Sequence, residues 1–262
     1  MGLLVAATVA GELNGWCEER PTEKELAAIT ERGRALAEYD LAAWHATDAV
    51  QTANPKTAEG QYTLAKKENG RWVVIFGGLD SDKSRFLVSY EATQLEKPRD
   101  FGVKKNEPPT EADRFYLFAA RALELATADF GKATRLYSTA VLPATEAEAK
   151  GKDSGLLYVY LYPAPTKIGN YPLGGDVRYL VSADGMKILA KRQMHKTIVD
   201  VASAKKRMAA GHHTHVLSDE PEDTDVLHVL QQDPAVPEMI TTEHFVYEIS
   251  SDGTIRIKKQ KK

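Results

Sequence analysis

The sequence predicts an α+β protein built mainly from antiparallel sheet, with two principal helices at about residues 22–54 and 110–130. Apolar residues recur at helical spacing in these two long stretches, whereas most of the later chain alternates between apolar and polar residues. No strand–helix–strand alternation is visible after residue 131. That absence argues against a parallel, doubly wound sheet.

The first predicted helix has a clear beginning and end. Thr22 and Glu25 form a capping box, in which the Thr22 hydroxyl accepts from a helical N–H and Glu25 reaches back. Asn54, followed by proline, stops the helix. Gly33 lies inside it and is expected to cost ~1 kcal/mol relative to alanine.

The second predicted helix follows a pair of prolines and begins near Thr110. Gly131 is a natural C-terminal stop. Between them runs an apolar stripe at helical spacing, formed by Phe115, Phe118, Ala122, Leu125, Ala126 and Phe130.

Three tight turns predict β-hairpins, at Asn69-Gly70, Asp184-Gly185 and Asp252-Gly253. Asparagine, aspartate and glycine accept the positive φ angles that two-residue hairpin turns require. The hairpins pair 62–67 with 71–76, 177–183 with 186–192, and 245–250 with 254–258. Further strands are predicted at 86–90, 134–142, 156–162, 214–218 and 226–231.

The order of elements predicts two related units, each a helix followed by a meander. An N-terminal α+β unit spans residues 21–95 and a C-terminal α+β unit spans 110–262. The polar stretch 96–109 is predicted to link them.

Residues 1–20 are predicted to be an N-terminal segment outside these units, the possible remnant of a secretory signal. Residues 1–11 are apolar and rich in small residues but shorter than the ~20 residues that span a bilayer. They resemble the later part of a signal peptide, which predicts a periplasmic or secreted protein. The alternative is a buried first strand in a cytoplasmic protein. A formal net charge of −3 argues against nucleic acid as a partner, leaving a small molecule or protein, with no integral membrane segment.

The segment 211–230 concentrates the candidate ligands, with four of the seven histidines and a run of carboxylates. Side chains alternate along a strand, so His213 and His215 are expected to share one face and reach one ion. Zinc takes three or four such ligands. The predicted metal ligands are His213, His215, Asp225 and His228, and the predicted catalytic base is Glu222, or alternatively Glu220.

The run His213-Thr214-His215, with Asp225 beyond it, resembles part of the JAB/MPN-type zinc hydrolases. That resemblance implies a strand carrying both histidines and a following helix carrying the aspartate. Val216 stands where the family has proline. The alternation from Asp225 onward predicts a loop and a strand instead of the family's helix.

Two functions follow from this segment. The first is a binding or structural module with no cofactor, in which residues 219–225 form a solvated acidic loop on a surface hairpin. The alternative is a zinc-dependent hydrolase that uses the His-x-His and Asp cluster. Convergence of any three of the side chains His195, His213, His215, His228 and Asp225 would make metal binding the leading hypothesis.

Two further patterns concern packing. Tyr158, Tyr160 and Tyr162 alternate with aliphatic residues on a predicted strand, and we expect the 110–130 helix to cover the tyrosine face. Gly174-Gly175 opens a strand, so the helix N-terminus of a phosphate site is missing there. A structural crossover connection is the preferred interpretation of that glycine loop.

Overall fold

The computed structural model describes residues 20–54, 61–144, 155–167, 169–202 and 210–261. Within these ranges the protein is α+β with mostly antiparallel sheet, as the sequence predicts. The predicted signal remnant lies almost wholly outside the described residues. The helices are α1 (Glu23–Ala53), α2 (Arg114–Phe130) and α3 (Asp223–Gln231).

Four sheets are formed by the described strands. The first sheet has the order β1-β2-β3-β4, the second β5-β6-β8-β9 and the third β11-β12-β13-β14, while β7 and β10 form a separate pair. The strands of the first sheet are β1 (Tyr62–Glu68), β2 (Arg71–Leu79), β3 (Phe86–Gln94) and β4 (Phe101–Glu111). Next come β5 (Tyr137–Pro143), β6 (Leu157–Pro163), β7 (Asn170–Leu173), β8 (Val177–Val181) and β9 (Ile188–Gln193). The last are β10 (Val199–Ala202), β11 (Gly211–Thr214), β12 (Glu238–Thr241), β13 (Phe245–Ile249) and β14 (Ile255–Gln260).

The three predicted hairpins are confirmed as the antiparallel pairs β1–β2, β8–β9 and β13–β14. Their turn glycines have the expected positive φ angles, 79° at Gly70, 76° at Gly185 and 84° at Gly253.

The segment predicted as a linker, 96–109, is instead largely strand. β4 occupies most of it and pairs antiparallel with β3, so the first meander has four strands. Because residues 110 and 111 belong to β4, the second helix starts later than predicted. Asp113 is its N-cap, accepting from the backbone N–H of Phe115 at 2.8 Å. The division into two units stays a prediction.

The region after residue 210 contains the largest corrections. Residues 226–231, predicted as a strand, belong to α3, and the strand expected at 214–218 is instead β11, which starts three residues earlier and ends at Thr214. β11 and β12 are parallel and flank α3 in the chain. A strand–helix–strand unit therefore exists where none was predicted. All residues of α3 from Asp223 to Val229 are buried, and a short buried helix is hard to tell from a buried strand by its apolar pattern.

Both faces of β6 are buried, against different helices. Its aliphatic side chains lie in a cluster with α2 and the tyrosines lie in a cluster with α1. The expectation that the second helix covers the tyrosines was therefore wrong. Both clusters combine side chains of the two predicted units. None of the helices in the described ranges combines the length and apolar character needed to cross a membrane.

Candidate metal centre

Three segments from different parts of the fold bring four side chains together. His195 lies two residues after β9, His213 lies in β11 and His215 follows that strand. Asp225 is the third residue of α3. One ligand atom of each lies within 4.8 Å of those of the other three, so this group can hold a metal ion.

The imidazole Nε2 atoms converge on the Asp225 carboxylate. Nε2 of His215 lies 2.9 Å from Nε2 of His195 and 3.1 Å from Nε2 of His213. The distances from Nε2 to the nearest Asp225 oxygen are 3.2 Å for His195, 3.1 Å for His213 and 3.2 Å for His215.

The other ring nitrogen of each histidine faces an acceptor. Nδ1 of His195 is 2.7 Å from Oδ1 of Asp176, and Nδ1 of His213 is 2.9 Å from Oε1 of Glu238. Nδ1 of His215 is 2.8 Å from the main-chain oxygen of Glu220. Ionised carboxylates and carbonyl oxygens only accept, so each Nδ1 carries the proton. In the neutral rings all three Nε2 lone pairs therefore point at the same small space.

Asp225 has one oxygen fixed by the helix and one left over. Its Oδ2 accepts from the backbone N–H of Glu222 at 2.6 Å, which caps α3. Its Oδ1 is buried and makes no hydrogen bond to any of the described residues. This oxygen lies 3.2 Å from Nε2 of His195 and 3.1 Å from Nε2 of His213. Buried polar atoms in native proteins are normally satisfied, so it needs either protonated imidazoles or a metal ion beside it.

The electrostatics of the group also favour positive charge beside Asp225. Burial lowers the pKa of His195, but Asp225 and Asp176 outweigh it and raise the pKa to about 11. Burial opposes protonation of His213 as well, yet Asp225 and Glu238 raise its pKa to about 9. Burial alone would raise the pKa of Asp225, whereas His215 and His195 hold it well below its usual value. Protons supply that charge in the metal-free protein, and a divalent ion can replace them.

The distances fit a small tetrahedral ion. Zinc–nitrogen bonds of ~2.0–2.1 Å in a tetrahedron separate neighbouring ligand atoms by roughly 3.3–3.4 Å. The contacts of 2.9–3.2 Å between the ligand atoms need only a slight expansion to reach this spacing. The side chains of Asp225 and His215 are 0% and 1% exposed, and those of His195 and His213 are 10% and 14% exposed. The group is therefore nearly closed to solvent.

Three of the four predicted ligands belong to this group. The alternation rule placed His213 and His215 together correctly, and α3 brings Asp225 to them. His228, one turn further along α3, is buried but lies outside the group.

Glu222, the predicted base, is bound to Arg192. Its two oxygens lie 2.6 to 3.1 Å from the Arg192 guanidinium. Burial raises the pKa of Glu222, and Arg192 opposes that rise. The residue is the N-cap of α3 and its carboxylate is paired with Arg192, while its role as a base stays a prediction.

His195 is a member of the ligand group that the predicted ligand set omitted. It is a single histidine, eighteen residues before His213, with no ligand pattern around it. The glycine loop carried a partial signal. A Cβ on Gly174 would lie 2.2 Å from the main-chain oxygen of Thr197 and 3.2 Å from Cβ of His195. Only glycine lets this turn approach the His195 segment so closely.

No known protein family, curated protein or solved structure matches this chain.

Proposed function

We propose that this chain is a zinc-binding protein in which His195, His213, His215 and Asp225 hold one ion. The observation that carries the proposal is the convergence of three imidazole Nε2 atoms and the buried Asp225 carboxylate on a single point. In the metal-free protein, protons on the histidines balance the Asp225 charge, and a divalent ion would replace those protons.

Zinc is the favoured metal because of the ligand types and their number. Imidazole and carboxylate suit several divalent metals, but four protein ligands at tetrahedral spacing are typical of structural zinc sites. Catalytic zinc sites usually have three protein ligands and keep a position open for water.

The ion would fasten the second sheet to the third. His195 extends from β9 of the second sheet, while His213 belongs to β11 of the third sheet and Asp225 belongs to α3. The proposed function is thus that of a binding or structural module whose C-terminal region is stabilised by metal.

Elemental analysis of the purified protein tests this proposal. We expect about one zinc per chain, and near-complete loss in the double variant His213→Ala/His215→Ala. His212→Ala is the matched control, because His212 lies on the same strand but is exposed and contacts the Thr241 hydroxyl. That control should keep its zinc.

Two outcomes would overturn the proposal. One is a wild-type protein that takes up no divalent metal even when zinc is supplied during purification. The other is a double variant that retains the full metal content.

A zinc-dependent hydrolase is the second candidate, and one observation favours it. Asp225 lies on α3, the helix that follows β11, which carries His213 and ends one residue before His215. This order comes close to the arrangement that the resemblance to JAB/MPN-type hydrolases implies. Zinc lowers the pKa of a bound water to ≈ 7 and so supplies a nucleophile. Zinc-dependent cleavage of peptide or ester substrates, abolished by Asp225→Asn, would support this function. A zinc-loaded protein without turnover on either class would exclude it in favour of the module.

Export is a separate proposal, carried by the apolar residues 1–11 alone. It predicts cleavage near Glu12, which mass spectrometry of the native protein would detect. An intact N-terminus in the cell would contradict it.

A further inference from the structure

We propose that Asp176 and Glu238 are positioning residues that set the zinc affinity by orienting and polarising two of the imidazoles. This inference rests on the proposed function, since it concerns how that metal centre works. Neither residue belongs to the ligand group, and neither was predicted from the sequence.

Asp176 is held rigidly beside His195. The residue is 1% exposed and lies immediately before β8. Its main-chain oxygen accepts from the backbone N–H of Met194 at 3.1 Å, next to His195 in the chain. The same oxygen accepts from the Gln193 side chain at 3.0 Å. These bonds hold the backbone of Asp176 against the His195 segment, and its carboxylate lies 2.7 Å from Nδ1 of His195.

Glu238 is held just as firmly beside His213. It is 4% exposed, begins β12 and is the register partner of Gly211. A Cβ on Gly211 would lie 1.8 Å from Oε2 of Glu238, so the carboxylate fills the space that any other residue would need. The glycine thus leaves room for the contact between Glu238 and His213.

The carboxylates of Asp176 and Glu238 affect their imidazoles more strongly than the main-chain carbonyl of Glu220 affects His215. All three acceptors fix the tautomer, which leaves Nε2 free to bind metal. A carboxylate also carries charge, which strengthens the hydrogen bond and makes the imidazole more basic. Outer partners of this kind typically change metal affinity by ~10–100-fold. His195 and His213 should therefore depend on their partners more than His215 does.

Zinc affinity, measured by competition with a chromophoric chelator, tests the proposal in two substitution series. Asp176→Asn and Glu238→Gln keep an accepting oxygen but remove the charge. Asp176→Ala and Glu238→Ala remove both. We expect a loss of about 10–100-fold in each alanine variant and a smaller loss in each amide variant.

A matched control exists in the same region. Asp219 forms a carboxylate–histidine pair with His244, whose ring is not among the four ligands. Asp219→Asn removes the same charge and should leave zinc affinity within about twofold of wild type.

A second measurement separates positioning from folding. Gly211→Ala touches no ligand but must displace the Glu238 carboxylate, so it should weaken zinc binding by about the same factor as Glu238→Ala. Cobalt-loaded Gly211→Ala and Glu238→Gln should keep the visible absorption of four-coordinate cobalt, because the ligands themselves are unchanged.

The outcomes distinguish the two proposals. If wild type binds no zinc, the proposed function fails. Alternatively, the wild-type protein binds zinc and the folded Asp176 and Glu238 variants have zinc dissociation constants within twofold of the wild-type value. In that case the positioning role is wrong and the metal site stands.

Discussion

Asp223 is a fully buried charged residue outside the candidate metal centre. Its carboxylate, 1% exposed, receives Arg32 from α1 at 2.9 Å, Arg178 from β8, and the Tyr160 hydroxyl at 2.9 Å. Burial and the nearby Asp223 charge raise the pKa of Tyr160 well above its usual value, so its hydroxyl stays a donor. One aspartate thus joins a helix, two strands and the start of α3.

Asp223→Ala should destabilise the protein strongly. Removing one partner of a buried ion pair leaves an uncompensated charge and typically costs about 3–5 kcal/mol. Denaturant unfolding should show this loss in the free energy of unfolding. Glu124→Ala, which breaks the exposed pair with Lys83, should cost no more than about 1 kcal/mol. Equal costs for the two variants would contradict the assignment of Asp223.

At this scale the sequence predicted local chemistry well and distant contacts poorly. The shared face of His213 and His215 follows from the two-residue period of an extended chain. The contributions of His195, Asp176 and Glu238 depend on how separate segments pack, which no local pattern reports. The catalytic role of Glu222 stays a prediction, and its ion pair with Arg192, thirty residues earlier, is another contact that no local pattern reports.

The close approach of α1 and α3 explains a glycine that helix propensity alone would reject. A Cβ on Gly33 would lie 2.4 Å from Cβ of Val226 and 2.7 Å from the main-chain oxygen of Asp223. The helices therefore touch at Gly33, directly above the first turn of α3, which carries Asp225.

Gly33→Ala should destabilise the protein despite the better helix propensity of alanine. The propensity gain is ~1 kcal/mol, whereas overpacking costs typically about 1–3 kcal/mol, and contact with backbone favours the upper part of that range. We expect a lower midpoint of chemical unfolding. Gly78→Ala is the control, since its Cβ would meet nothing within 4 Å. A more stable Gly33→Ala protein would show that the helices can separate at no cost.

The helices and hairpins that begin or end at a characteristic local motif were predicted from the sequence. The elements whose conformation depends on packing against the rest of the fold were not. α1 has its capping box and the hairpins have their turn glycines. α3 is only nine residues long and is buried from Asp223 to Val229, so its short apolar run could not be told from a buried strand. β4 carries prolines and charges, which suit an edge strand but resemble a loop.

For the whole molecule, metal binding should appear as added stability. At a free zinc concentration 100 times Kd the gain is about 2.7 kcal/mol. For a protein of this size that corresponds to about 5–10 °C in melting temperature. Differential scanning fluorimetry with and without a chelator measures it, and Asp225→Asn should show almost no gain. A chelator that leaves the wild-type melting temperature unchanged would contradict a stabilising ion.

Raising the pH should lower the stability of the metal-free protein and should increase the affinity of the protein for zinc. In the metal-free protein the pKa of His195 is about 11 and that of His213 is about 9, against ~6.5 for unfolded histidine. Their protonation stabilises the metal-free fold fully below about pH 6.5, and this contribution is lost as pH rises through those raised values. Zinc binding releases the same protons, so its affinity rises with pH.

Melting curves between pH 6 and 10 would test this pair of trends. The metal-free melting temperature should fall over the alkaline part of the range, while the gain on adding zinc should grow. A zinc gain that shrinks with rising pH would contradict the assignment of these histidines as ligands.

β11 lies at the edge of the third sheet, where β12 is its partner among the described strands. A nascent chain translated as far as residue 225 already contains all four proposed ligands, whereas β12, which pairs with the segment carrying His213, is made later. If the chain binds zinc as proposed, we expect tight binding only once residues 238–241 have been translated, and truncated products that end before them should bind zinc more weakly.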